Sequence, residues 1–120
     1  MAKRLCLPTS ARRLDAYKVS MQLVAFLQPL LVRIARYDKD LAHQMGRSLP
    51  SIAHNLTEAL RRTGNDRAHL LTVALGSADE LRTGIDMAAC SGILTPNEAQ
   101  TAEGLADRIC AMLFRLYQRS

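Results

Sequence analysis

The stretch MGRSLPSIAHNLTEA, residues 45–59, decides the fold. Its apolar members Met45, Leu49, Ile52, Leu56 and Ala59 step by four, three, four and three residues. That spacing returns each side chain to one stripe of a helix, and it is incompatible with the two-residue alternation of a strand. The polar members Arg47, Ser51, Asn55 and Glu58 step in a similar way and form a second stripe beside the first. A narrow apolar stripe has to be covered by partner helices. Pro50 falls inside the pattern, and because both stripes keep their phase across it, it reads as a kink rather than an end.

The same period runs outward in both directions. Upstream stand Leu23, Leu27, Leu30, Ile34 and Tyr37, with Pro29 as a second internal kink. Downstream come Leu71, Ala74, Ala78, Leu81, Ile85 and Ala88, then Ala102, Leu105, Ile109, Met112 and Leu116. Pro8-Thr9-Ser10, Tyr37 to Asp40, Thr63 to Asp66 and Ser91 to Pro96 punctuate the chain, so helices are expected at about 14–36, 40–63, 66–91 and 96–118. Thr95-Pro96-Asn97-Glu98 spells a capping box with proline at the first helical position. Gly64 and Gly92 stand where a helix needs a left-handed residue beyond its end, and Asn65 or Asp66 is expected to cap the third helix. Small residues at Gly76, Ser77, Ala78 and Gly84 allow another helix to approach closely. Short connections permit only antiparallel neighbours, so the fold class is all-α, an up-down-up-down antiparallel four-helix bundle.

Length and composition agree with one domain: 120 residues, 48% of them apolar, suffice for one core. No run of eighteen uninterrupted apolar residues occurs, and Met1 to Leu7 lacks an apolar signal core, so a cytoplasmic protein with no membrane partner is expected. Cys6, Cys90 and Cys110 are an odd number without CxxC spacing and suggest neither a disulfide framework nor a zinc knuckle. Of the net charge of +5, residues 1–18 hold +4, from Lys3, Arg4, Arg12, Arg13 and Lys18 against Asp15. The first 13 residues therefore read as a basic leader, either a solvating terminus or a pole for polyanions.

Arg47 to Glu58 in helix two, followed by Ala74-Leu75-Gly76-Ser77-Ala78-Asp79-Glu80-Leu81, resembles the bacterial 23S ribosomal-RNA intervening-sequence proteins, whose relatives include accessory proteins of diversity-generating retroelements. Leu14-Asp15-Ala16-Tyr17 and Gly92-Ile93-Leu94-Thr95 extend the resemblance to about residues 14–118. Ala59 departs from it, since the family often has glycine there. The resemblance implies a bundle that assembles in rings of five and has no established enzymatic activity. In the retroelement branch it also implies binding to a reverse transcriptase and nucleic acid, but this chain is more similar to the intervening-sequence branch.

Candidate functional residues fall into three groups. Projected around helix one, Val24 and Leu31 lie at the margin of the core stripe, with Tyr17, Met21 and Val32 further round. With Phe114 on helix four, Tyr17, Met21 and Val32 are candidate contacts of a homo-oligomer, a pentamer if the resemblance holds. Arg47, Ser51, Asn55 and Glu58, joined by Ser77 and Glu80 on helix three, form either a hydrogen-bonded network at a seam or a ligand site. Lys3, Arg4, Arg12, Arg13, Lys18, Arg61 and Arg62 are candidate contacts to RNA or DNA, although the chain has no Trp and few aromatics for base stacking. A protein partner is the other candidate.

No catalytic, cofactor or metal residues are expected. Glu-x-x-His, the di-metal step of ferritin-like bundles, is absent from the sequence, and His43, His54 and Glu58 make a poor metal set. The enzyme alternative is a small ribonuclease, because Arg47 and His54 are spaced somewhat like the Arg…His signature of the HEPN superfamily. The function expected is that of a non-enzymatic scaffold or binding module.

Overall fold

A computed structural model describes residues 11–120, with side chains from Asp15 onward. Four helices follow one another: α1 (Ala11–Tyr37), α2 (Lys39–Leu60), α3 (Gly64–Cys90) and α4 (Pro96–Gln118). Strands are absent among the described residues. Each helix packs chiefly on its neighbours in a cycle, α1 on α2, α2 on α3, α3 on α4 and α4 on α1. The bundle is thus square in section, and its faces α1–α2 and α3–α4 lie on opposite sides. Its longest dimension, 41 Å, is the length of α1 itself, since 27 helical residues rise roughly 40 Å.

Local chemistry sets the corners. Asp38 alone joins α1 to α2; extended at φ −153°, it accepts the Leu41 amide on its carboxylate at 3.0 Å. α2 stops at Leu60, three residues earlier than expected, because the Arg61 and Arg62 amides turn back to the Glu58 and Ala59 carbonyls. α3 begins at Gly64 after an extended Thr63, so neither Asn65 nor Asp66 is its cap; Asp66 lies in the first turn, where its charge suits the helix dipole. Gly64 (φ 60°) and Gly92 (φ 77°) do adopt the left-handed conformation. At Gly92 the chain closes a Schellman turn, with the Gly92 amide on Ala89 and the Ile93 amide on Ala88, each at 3.0 Å. The capping box is complete: Glu98 N donates to Thr95 Oγ1 at 3.1 Å, and Thr95 N to Glu98 Oε1 at 2.9 Å. Pro29 and Pro50 both lie inside continuous helices.

The core follows the stripes on α2 and α3 without exception, while two others need correction. Tyr37 is 74% exposed, because the chain reverses at Asp38 and the polar Lys39 and Asp40 offer its ring no apolar wall. On α4 the innermost positions are Ala99, Ala102, Ala106, Ile109, Leu113 and Leu116, whereas Leu105 and Met112 are only half-buried. Alanines hold the inner line over the first half of α4 and Ile109, Leu113 and Leu116 over the second, while Leu105 and Met112 sit at its margin. The Asp15–Tyr37 segment has the length and apolar composition of a membrane span, but its stripe from Leu23 to Ile34 is the wall of the bundle core.

Candidate functional site

The polar stripe on α2 resolves into separate parts. Ser51 and Ser77 share a hydrogen bond at 2.7 Å across the α2–α3 seam. Asn55 Nδ2 donates to both the Ser51 hydroxyl (3.0 Å) and the Ser51 carbonyl (2.8 Å). Ser51, Asn55 and Ser77 are therefore a closed network that fixes the register of two helices. Glu58 does not join it; its carboxylate accepts from Arg62 at 3.0 Å, one turn along the same helix. Arg47 and Glu80 lie beyond the other end, on opposite walls of a shallow groove floored by Met45 and Gly84. Every buried side-chain N or O among the described residues has a partner, so nothing polar is left aimed into the core.

Arg47 and His54 do not converge. Both are exposed, and they stand two turns apart, about 10 Å along the α2 axis. His54 lines neither of the grooves that Arg47 lines. No cluster of three or more metal-ligating side chains occurs among the described residues.

Sequence reasoning missed two groups that the fold brings together. Arg33 forks onto Glu98, Nη1 to Oε1 at 2.6 Å and Nη2 to Oε2 at 2.9 Å, and also donates to the Ile93 carbonyl at 3.1 Å. This ties α1 to the α3–α4 corner. The Arg33 fork and the Thr95 amide hold the Glu98 carboxyl down at about 2, and the Glu98 partner raises the Arg33 guanidinium. On the α3–α4 face, Arg82 bridges Asp107 (3.2 Å) and Asp79 (3.5 Å) and reaches Cys110 Sγ at 3.6 Å. The thiol is raised by burial, which outweighs the opposing pull of Arg82. Glu103 is raised by its hydrogen bond with the Asp86 carboxyl and by burial. The face carries four carboxylates around one arginine.

The apolar candidates divide between opposite faces. Leu31, Val32 and Ala35 line a shallow groove with Ala42 and Gly46 of α2, and Tyr17, Met21 and Val24 precede them on the same side of α1. Val32 is 61% exposed, whereas Tyr17 and Met21 are half-buried and Tyr17 packs on the core edge. Phe114 continues the Asp107–Cys110 side of α4 toward α3; it is 51% exposed and stacks on Tyr117 with centroids 6.5 Å apart. Met87 is similarly exposed on α3.

Of the basic candidates, Lys3 and Arg4 lie outside the described residues, as do the side chains of Arg12 and Arg13 in the first turn of α1. Lys18, Arg61 and Arg62 are exposed at the end of the bundle where α1 begins and α2 stops. The antiparallel course brings Arg115 and Arg119, from the close of α4, to that same end. Nothing in the linear sequence joins these two to Lys18; only the topology does.

The sequence pattern of the family described as 23S rRNA-intervening sequence protein matches residues 12–115. A crystal structure described as a protein of unknown function from the S23 ribosomal protein family of Bacteroides thetaiotaomicron superposes with a TM-score of 0.81 at 18% identity. The match covers 89% of this chain and 98% of the other, and at that identity it speaks to the fold alone. The curated proteins contain no match.

Proposed function

The chain belongs to the 23S rRNA-intervening sequence protein family, and on that premise we propose that it is a non-enzymatic scaffold of the cytoplasm that associates with itself and binds a nucleic acid, RNA foremost. The observation that carries this reading is apolar surface left over after the core is closed. Val32, Met87 and Phe114 are each at least half exposed, although more than twenty other apolar side chains already fill the interior. Single exposed apolar residues are ordinary, but a groove on one face and a stacked aromatic pair on the opposite face are the features of a contact surface. The five-membered ring implied by the family resemblance is the form of assembly proposed.

Nucleic-acid binding is supported by the cations gathered at one end of the bundle. Lys18, Arg61, Arg62, Arg115 and Arg119 favour phosphate contacts without base readout. An assembly would repeat that end and turn weak contacts into avidity. The test is the solution mass of the purified chain by light scattering across a concentration series. A mass several times that of the chain is expected, and a monomer throughout would overturn the reading.

A further inference from the structure

We propose that the end of the bundle where α4 closes takes single-stranded RNA, with Phe114 and Tyr117 as a platform for unpaired bases and the cations around them holding the phosphates. This rests on the nucleic-acid reading above and adds the class of nucleic acid and the side chains that meet its bases. Phe114 and Tyr117 stand one turn apart near the close of α4, 51% and 42% exposed, with ring centroids 6.5 Å apart and planes 25° from parallel. The core does not need them, because Ile109, Leu113 and Leu116 already fill the inner line of that stretch. What remains is an aromatic surface open to solvent at the cationic end.

The charges around the pair give it a direction. Lys18, Arg61, Arg62, Arg115 and Arg119 outnumber the acids Asp15, Glu58 and Asp66 at that end, and of those five cations only Arg62 has an ion-pair partner among the described residues. Arg115 and Arg119 point about 100° and 140° round the helix from Phe114, toward its outer side. Asp107, two turns back from Phe114 on the same flank, stands with Asp79, Asp86 and Glu103, and that acidity repels phosphate from the α3 side. A strand whose phosphates run over Arg115 and Arg119 would therefore turn its bases onto Phe114 and Tyr117. Stacking of this kind tolerates any sequence, since every base has a π-face, but it requires bases that are free of a duplex stack. The Val32 groove and Met87 remain for contact between chains.

The experiment compares a fluorescent single-stranded RNA with the same strand annealed to its complement, by anisotropy, for the wild type, Phe114→Leu and Phe114→Tyr. The wild type should prefer the single strand. Phe114→Leu should bind it at least about 5-fold more weakly, with duplex binding and solution mass unchanged, and Phe114→Tyr should restore the affinity. Equal loss on both RNAs, no loss at all, or a wild type that prefers the duplex would overturn the platform while nucleic-acid binding stands. A loss that follows a fall in solution mass would also overturn it, by assigning Phe114 to a contact between chains. A wild type that binds neither RNA would overturn both readings.

Discussion

Glu98 serves two structures with two oxygens. Its Oε1 completes the α4 capping box with the Thr95 amide, and the whole carboxylate receives the Arg33 fork from α1. Both roles require the ionised form, which is why its carboxyl titrates at about 2 rather than near 4.5. Because the folded value is the lower one, the stabilisation is complete above about 4.5 and is lost as pH falls through about 2. Glu98→Gln cannot ionise, so the wild type should exceed it in urea midpoint at neutral pH, and the gap should narrow steadily below pH 4.5. A gap independent of pH would contradict the ion pair. The cap was legible from three residues of spacing, whereas Arg33 lies 65 residues from its partner and no local pattern reveals it.

Helix elements were legible where the 4-3 steps select a single stripe and illegible where size misleads. On α2 the buried positions are those the 4-3 steps select. On α4 the large Leu105 and Met112 attracted the reading, although the bundle gives the central line to Ala106 and Leu113. The small residues of α3 raise the same difficulty, because sequence alone does not say which of them is a contact. A Cβ at Gly84 would stand 2.5 Å from Met45 Cγ, in a side chain that is fully buried, whereas one at Gly76 would meet nothing within 4 Å. Alanine is worth about 1 kcal/mol over glycine inside a helix. Gly76→Ala should therefore stabilise by about that amount. Gly84→Ala should lose about 1–3 kcal/mol to overpacking against a gain of about 1, for a net cost of up to 2. Denaturant unfolding of the two variants decides it: equal stabilisation would mean that α2 and α3 are not held in close contact at Gly84.

At the scale of the molecule, charge is arranged by topology. Of the net charge of +5, residues 1–18 hold +4, and cations and acids nearly balance over the rest of the sequence. Folding then separates a cationic bundle end, from Lys18 to Arg119, from an acidic α3–α4 face around Arg82. An assembly would repeat that cationic end, and binding of a long polyanion to it would be multivalent. Two responses follow for a fluorescent single-stranded RNA followed by anisotropy. Affinity should fall steeply between low and moderate salt, with a flatter slope when Arg61 and Arg62 are both replaced by Ala, since each released phosphate contact contributes about 0.7 to the slope. Gly46→Glu sets a charge in the Val32 groove, where an added side chain meets nothing within 4 Å, and by hindering self-association should bind RNA roughly 100-fold more weakly than the wild type although its cationic end is untouched, because avidity commonly exceeds single-site affinity by about 10²–10⁴. Equal RNA affinity in assembled and monomeric chains would show that the cationic end acts singly, and a salt-independent affinity would remove phosphate contact as its basis.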